Sequence, residues 1–269
     1  NLTSGMVDGS RTALVAAWQL MFFVLGVVAQ SAGTAVYPTL SALAAEGDYD
    51  TFKERLSTVM RGVLFLAFPA STLLIVLGAP AIRLLLERGE WTAESTAGTA
   101  WALAFFAVGI AGHALLEVLS RAFYALSDTR TPVLIGIASI VLNIILSLVL
   151  IRVMGSPDQL ANGPFAGLAL ANSIATMLEA LVLWWLLRRR IGGLRDRYIL
   201  DGSARTLAAA IAMGVGIVVV TGIIPDAQVL LELIGAAVVG GVLFAGFALL
   251  LRLEEIRDLP GLVLRRIRR

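Results

Sequence analysis

His113, Glu117 and Arg121 stand four residues apart in a stretch built mainly of Ala, Gly, Ile, Leu and Val. On an α-helix that spacing stacks an imidazole, a carboxylate and a guanidinium along one face. Glu117 precedes Arg121, the favourable order for a helical ion pair. Farther along, Asn172, Thr176 and Glu179 share one face, and Ser139, Asn143 and Ser147 recur every four residues. Near the start, Thr12, Gln19, Gly26, Gln30 and Gly33 fall within a narrow arc if one continuous α-helix carries them. The chemistry open to these groups is reversible binding. Carboxylates and a guanidinium hold charged ligands, amides and hydroxyls orient polar ones, and His113 beside Glu117 is either a proton-linked group or a hydrogen-bonded structural histidine. Bond-breaking chemistry finds little support. With 1 His and 0 Cys, His-cluster and thiolate metal sites and thiol catalysis are excluded. No Gly-rich phosphate loop precedes a helix, and Glu117, Glu179 and His113 do not form an evident acid–base constellation at one interface. The chain is therefore expected not to be an enzyme.

The elements that must position these side chains are membrane helices. The chain has 269 residues, 58% hydrophobic and 15% charged, with a mean hydropathy of +0.88, whereas soluble domains run about 45–50% apolar and about 25% charged. Seven apolar runs reach the roughly 20 residues a bilayer demands: Thr12–Leu43, Val59–Leu86, Ala97–Leu126, Val133–Met154, Phe165–Leu187, Ala204–Ile224 and Val229–Leu251. A β-barrel would show shorter, alternating segments. The expected fold class is an all-α polytopic membrane protein of about seven transmembrane helices. Ionisable side chains are expensive in hydrocarbon, so Glu117 and Glu179 are read as facing a water-accessible cavity, and the Ser and Gly positions as interhelical packing.

Charge orients the bundle. All but four of the 21 basic residues (Arg11, Arg83, Arg88 and Arg152) assign to one face, which the positive-inside rule makes cytoplasmic. The N-terminus is then outside and the C-terminus cytoplasmic. The clusters Arg188–Arg197 and Arg265–Arg269 are juxtamembrane groups suited to anionic lipid headgroups rather than nucleic acid. Asn1 opens the chain without an initiator Met or a signal pattern, so the chain is read as the later part of a longer protein. Residues 191–203 are expected to be a basic cytoplasmic linker between a five-helix body (1–190) and a final helix pair with a basic tail (204–269). That pair, nearly free of polar side chains, is expected to face lipid or to pack through small residues.

Five segments, in order, carry a family resemblance: Gly33–Ser41 (GTAVYPTLS), Phe68–Ala70 (FPA), Arg83–Gly89 (RLLLERG) with Trp91–Glu94 (WTAE), Arg121–Pro132 (RAFYALSDTRTP) and Gly167–Ala171 (GLALA). They resemble the MurJ (MviN) lipid II flippases of the MOP exporter superfamily, over about residues 12–190. The resemblance implies fourteen helices in two six-helix lobes plus two flanking helices, of which this chain looks like helices eight to fourteen. It further implies alternating-access transfer of a polyprenyl-linked peptidoglycan precursor across the bacterial cytoplasmic (inner) membrane. The head group would sit in a cavity lined by Gln19, Gln30, His113, Glu117, Arg121, Asn143, Asn172 and Glu179. Some relatives also imply a sodium site, with Asn143, Ser147 and Asn172 at the matching positions, whereas proton coupling would run through His113 beside Glu117. The chain departs from the family pattern in three places. Gln19 stands where an Arg is usual, Glu117 where a Lys is frequent, and Ser147 where an Asp is expected. Three alternatives stay open: another MOP exporter, for a different glycan or a cationic drug; a transport-inactive scaffold for cell-wall synthesis proteins; and, last, a membrane-embedded glycolipid enzyme.

Overall fold

The computed structural model describes residues 6–156, 158–223 and 229–255, without the side chains of residues 29–32 and 223. These residues form α1 (Ser10–Leu25), a π-helical turn (Gly26–Gln30), α2 (Ser31–Glu46), α3 (Tyr49–Leu86), α4 (Ala93–Val108), α5 (Ile110–Ala125), α6 (Arg130–Val153), α7 (Ala166–Arg190), α8 (Asp196–Ile223) and α9 (Val229–Leu250). Among the described residues six helices are long and apolar enough to cross a membrane, and α4 with α5, bent by 44° at Gly109, makes a seventh crossing if the pair is one span. The protein is an all-helical, multi-pass membrane protein.

Local chemistry sets the helix boundaries. The Asp48 carboxylate accepts the Thr51 N–H at 3.1 Å and caps α3, and the Thr92 hydroxyl accepts the Ser95 N–H at 3.2 Å to start α4, each satisfying an orphan backbone donor. Gly47, Gly192 and Gly193 adopt positive φ, which lets the chain turn after α2 and α7. Three sequence expectations need correction. Val59 does not open its helix: α3 begins at Tyr49, because Phe52 and Leu56 are buried and carry the amphipathic pattern beyond the apolar run. Residues 196–203 belong to α8 rather than to a linker, which shrinks to 191–195. The Thr12–Leu43 run is not one continuous α-helix, because the π turn at 26–30 interrupts it.

The core gathers α1, α3, α4, α5 and α7 around Met21, Phe52, Met60, Phe106, Phe123 and Phe165. The helix pair α8–α9 packs along α3, where Leu77, Met213, Ile217 and Ala236 form a second buried cluster. A Cβ on Gly240 would lie 2.7 Å from the Ile217 side chain, and one on Gly216 would lie 2.2 Å from that of Leu243. Small residues thus bring α8 and α9 together. The outward surfaces are apolar: Ile137, Ile140, Val141, Ile144 and Ile145 on α6, and Val215, Val218, Val238 and Val242 on α8 and α9, are exposed. Such a surface suits hydrocarbon, and a soluble protein would rarely carry it.

Ion pairs hold one end of the bundle. Arg195 meets Glu54 at 3.4 Å, Arg188 meets Asp196 at 3.0 Å, and Arg190 pairs with Asp128. The most buried of these contacts centres on Arg61 of α3. Its guanidinium pairs with Glu255 through Nε and Nη2, lies 3.4 Å from Glu254 and stacks 4.3 Å above the Tyr198 ring. A Cβ on Gly202 would fall 2.3 Å from Arg61 Nε, so the glycine leaves room for the guanidinium.

Candidate functional site

The polar residues of α5 and α7 meet beside α2 and α6. Arg121 Nη1 donates to Glu117 Oε1 at 2.5 Å and to the Glu117 carbonyl at 3.2 Å. This is the i, i+4 pair that the spacing anticipates. The pair reaches α2 at Gly33, where a Cβ would lie 2.3 Å from Arg121 Nη1 and 3.4 Å from Glu117 Cγ. Any larger side chain would displace the pair. Across the space, Glu179 Oε1 of α7 lies 3.4 Å from where a Cβ on Gly136 of α6 would stand. Glu117, Arg121 and Glu179 line a common cavity of about 490 Å³, with Tyr37, Ser120, Tyr124 and Pro132. Tyr37 and Tyr124 also line a second hollow of about 330 Å³, which continues past Ser41 to Ser127 in the α5–α6 connection.

The other expected site residues lie elsewhere. His113, one turn before Glu117, has Nε2 3.1 Å from Asn172 Oδ1 and is flanked edge-on by Trp18 and Phe22, with ring centroids 6.3 and 6.1 Å away. His113 and Asn172 therefore make a hydrogen-bonded link between α5 and α7 that is not part of the cavity lining. On α6 the Ser147 hydroxyl donates to Asn143 Oδ1 at 3.4 Å, and the Ser139 hydroxyl donates to the Ala175 carbonyl at 3.3 Å. The three residues matched to a sodium site are thus divided between two hydrogen-bonded pairs, with the Asn172 oxygen engaged by His113. Among the described residues no group of three or more His, Cys, Asp or Glu could hold a metal ion.

Gln19 is exposed and does not line the cavity, whereas Gly33 is buried against Arg121. The single polar arc expected from Thr12 to Gly33 is broken by the π turn at 26–30, which advances each residue by a smaller angle than an α-turn and shifts the phase of everything after it. The Gln30 side chain lies outside the described residues.

Tyr37, Ser120, Tyr124 and Pro132 were not anticipated as lining residues. Helical phase holds a signal for two of them, since Ser120 and Tyr124 follow Glu117 at i+3 and i+7. Arg61 is likewise buried and paired, although by position it counts only as one more basic residue on its face. At the basic end, the α5–α6 connection is tied down by Asp128. Its carboxylate accepts the Thr131 N–H at 3.0 Å and the Thr131 hydroxyl at 2.8 Å, and it pairs with Arg190. The backbone N–H of Thr131, then its hydroxyl and Arg190, hold the Asp128 carboxyl below the ordinary 3.8.

Chemically, the cavity offers two carboxylates, one guanidinium, hydroxyls and aromatic rings. That set can hold a charged, hydrogen-bonding ligand.

Comparison with known proteins bears on the fold and the family. The family model described as lipid II flippase MurJ matches residues 1–237. A probable lipid II flippase MurJ of Rhizobium meliloti (strain 1021) is 29% identical over 212 residues, covering 79% of this chain and 38% of that protein. The lipid II flippase MurJ of Burkholderia cenocepacia is 28% identical over 214 residues, covering 77% of this chain and 40% of its own length. The chain thus spans about two-fifths of the relatives it matches. A solved lipid II flippase MurJ in an inward closed conformation superimposes with a TM-score of 0.70 at 24% identity, over 91% of this chain and 48% of that one. That likeness establishes a shared fold.

Proposed function

The chain belongs to the lipid II flippase MurJ family, and from that premise we propose that it forms one wall of an alternating-access transporter for a polyprenyl-linked peptidoglycan precursor. The transported lipid is moved and not chemically altered. The basic end, with Arg61, Arg121, Asp128 and Arg190, faces the cytoplasm in this reading, because the positive-inside rule places it there. The host membrane is the bacterial cytoplasmic membrane.

The observation that carries the proposal is the cavity shared by Glu117, Arg121 and Glu179 inside a bundle with apolar outer surfaces. Charged groups are costly in hydrocarbon and persist where they face water or a partner. A polar chamber between apolar rods is what transfer of a hydrophilic head group requires, and the apolar exterior leaves a lipid tail in the membrane. The rocking of helical bodies around such a site is the general logic of secondary transport.

Complementation tests the reading. Cells depleted of their own lipid II flippase should recover growth when supplied with the full-length protein that contains this chain, and should lose that recovery with Arg121→Ala. Failure of the unmodified protein to restore growth at normal membrane abundance refutes the proposal.

A further inference from the structure

We infer that Glu179 recognises a primary ammonium group on the transported head group, and so sets which head groups the cavity accepts. The inference rests on the flippase reading and specifies the chemistry of that same cavity.

The charges on the cavity wall do not balance. Glu117 and Arg121 satisfy one another through their ion pair. Glu179 has no cationic partner among the described residues, and the Ser139 hydroxyl on the facing helix donates to the Ala175 carbonyl. The wall therefore carries one carboxylate without a counter-charge among the described residues. An isolated charge in a partly desolvated site is unfavourable unless a counter-charge arrives, and a ligand ammonium is such a counter-charge.

The rest of the lining fits that occupant. Tyr37 and Tyr124 border the same cavity, and tyrosine faces attract a cation through the ring quadrupole. The Ser120 hydroxyl adds an acceptor for an N–H. Arg121, neutralised by Glu117, does not impose a net positive field that would repel the ammonium. It stays available to a ligand anion that displaces Glu117, for which its planar fork is well shaped. The wall thus suits a head group bearing both signs of charge, with the anion at Arg121 and the amine at Glu179.

The experiment compares two probes on the purified full-length protein that contains this chain, in lipid nanodiscs: lipid II, and lipid II whose free amino groups have been acetylated. Glu179→Gln keeps the shape and removes the charge, while Glu179→Asp keeps the charge. The unmodified protein should bind lipid II roughly tenfold more tightly than the acetylated form, the scale of one charge-assisted contact. Glu179→Gln should abolish that difference by weakening lipid II alone, and Glu179→Asp should retain part of it. A fold defect would weaken both probes equally, which the ratio cancels. Equal binding of both probes by the unmodified protein, or an undiminished ratio in Glu179→Gln, overturns the inference while leaving the flippase reading standing. Failure of the unmodified full-length protein to bind either probe counts against both.

Discussion

Replacing Arg61 should separate the worth of a buried ion pair from the penalty of breaking it. The Arg61 and Glu255 side chains are 7% and 17% exposed, whereas Glu254 is 61% exposed. Arg61→Met keeps an unbranched apolar stem over Tyr198 and removes the charge. Glu254 can turn to water, but Glu255 is left desolvated without a partner. Breaking a buried pair in this way costs about 3–5 kcal/mol, and the lost cation–π contact adds about 0.5–2 kcal/mol. Because Glu255 is partly exposed, the lower part of the combined range applies, roughly 3.5–4.5 kcal/mol. Glu255→Gln alone leaves Arg61 with Glu254 and Tyr198, and should cost about 1.5–3 kcal/mol. The double variant removes both charges and leaves no orphan, so it should be more stable than Arg61→Met alone, by about 1–2 kcal/mol. The measurement is reversible unfolding in mixed micelles by SDS titration, followed by tryptophan fluorescence and far-UV circular dichroism. A cost below about 1 kcal/mol for Arg61→Met, or a double variant as unstable as the sum of the singles, would show that the pair is solvated and energetically minor.

Two further outcomes follow from local geometry. Gly109→Ala would put a Cβ 2.8 Å from Ser173 Cα and 2.5 Å from its Oγ, so the bend between α4 and α5 must open from α7. Thermal unfolding should show a loss of about 1–3 kcal/mol, and a neutral result would mean that the bend moves freely. For Asp128, the folded carboxyl lies below the ordinary 3.8 because the Thr131 N–H, the Thr131 hydroxyl and Arg190 favour its ionised form. Its contribution to stability is therefore complete above the unfolded value and fades as pH falls from 3.8 toward the lowered value. Asp128→Asn should lower the midpoint at neutral pH and flatten the acid limb of a midpoint-against-pH curve, whereas an unchanged acid limb would refute the assignment.

What could be read from the residues divides by range. Hydropathy located the membrane spans, because a helix facing acyl chains must be apolar along its whole length in the bilayer. Helix continued past those limits at Tyr49–Thr58 and Asp196–Ser203, where capping and buried faces such as Phe52 and Leu56 decide the outcome rather than hydrophobic length. The Glu117–Arg121 pair was legible because both ends sit on one helix. Its meeting with Glu179 depends on how α5, α6 and α7 are seated, and no single-helix pattern carries that. The π turn left no mark in Gly26–Gln30, a segment without proline, yet it rotated Gly33 away from Gln19 and voided the arc drawn through both. Arg61 and Glu255 lie 194 residues apart, beyond the reach of any local spacing rule.

The length of α3 has a mechanical consequence. Its 38 residues make a rod of about 57 Å, nearly twice the roughly 30 Å of hydrocarbon it crosses. The α8–α9 hairpin is bolted to that rod twice, at Arg61 in its first half and around Leu77 in its second, points about 24 Å apart along the axis. A plank fastened at one point can swivel, and one fastened at two cannot. Any tilt of α3 in the proposed transport cycle would therefore carry the hairpin and its lipid-facing surface with it.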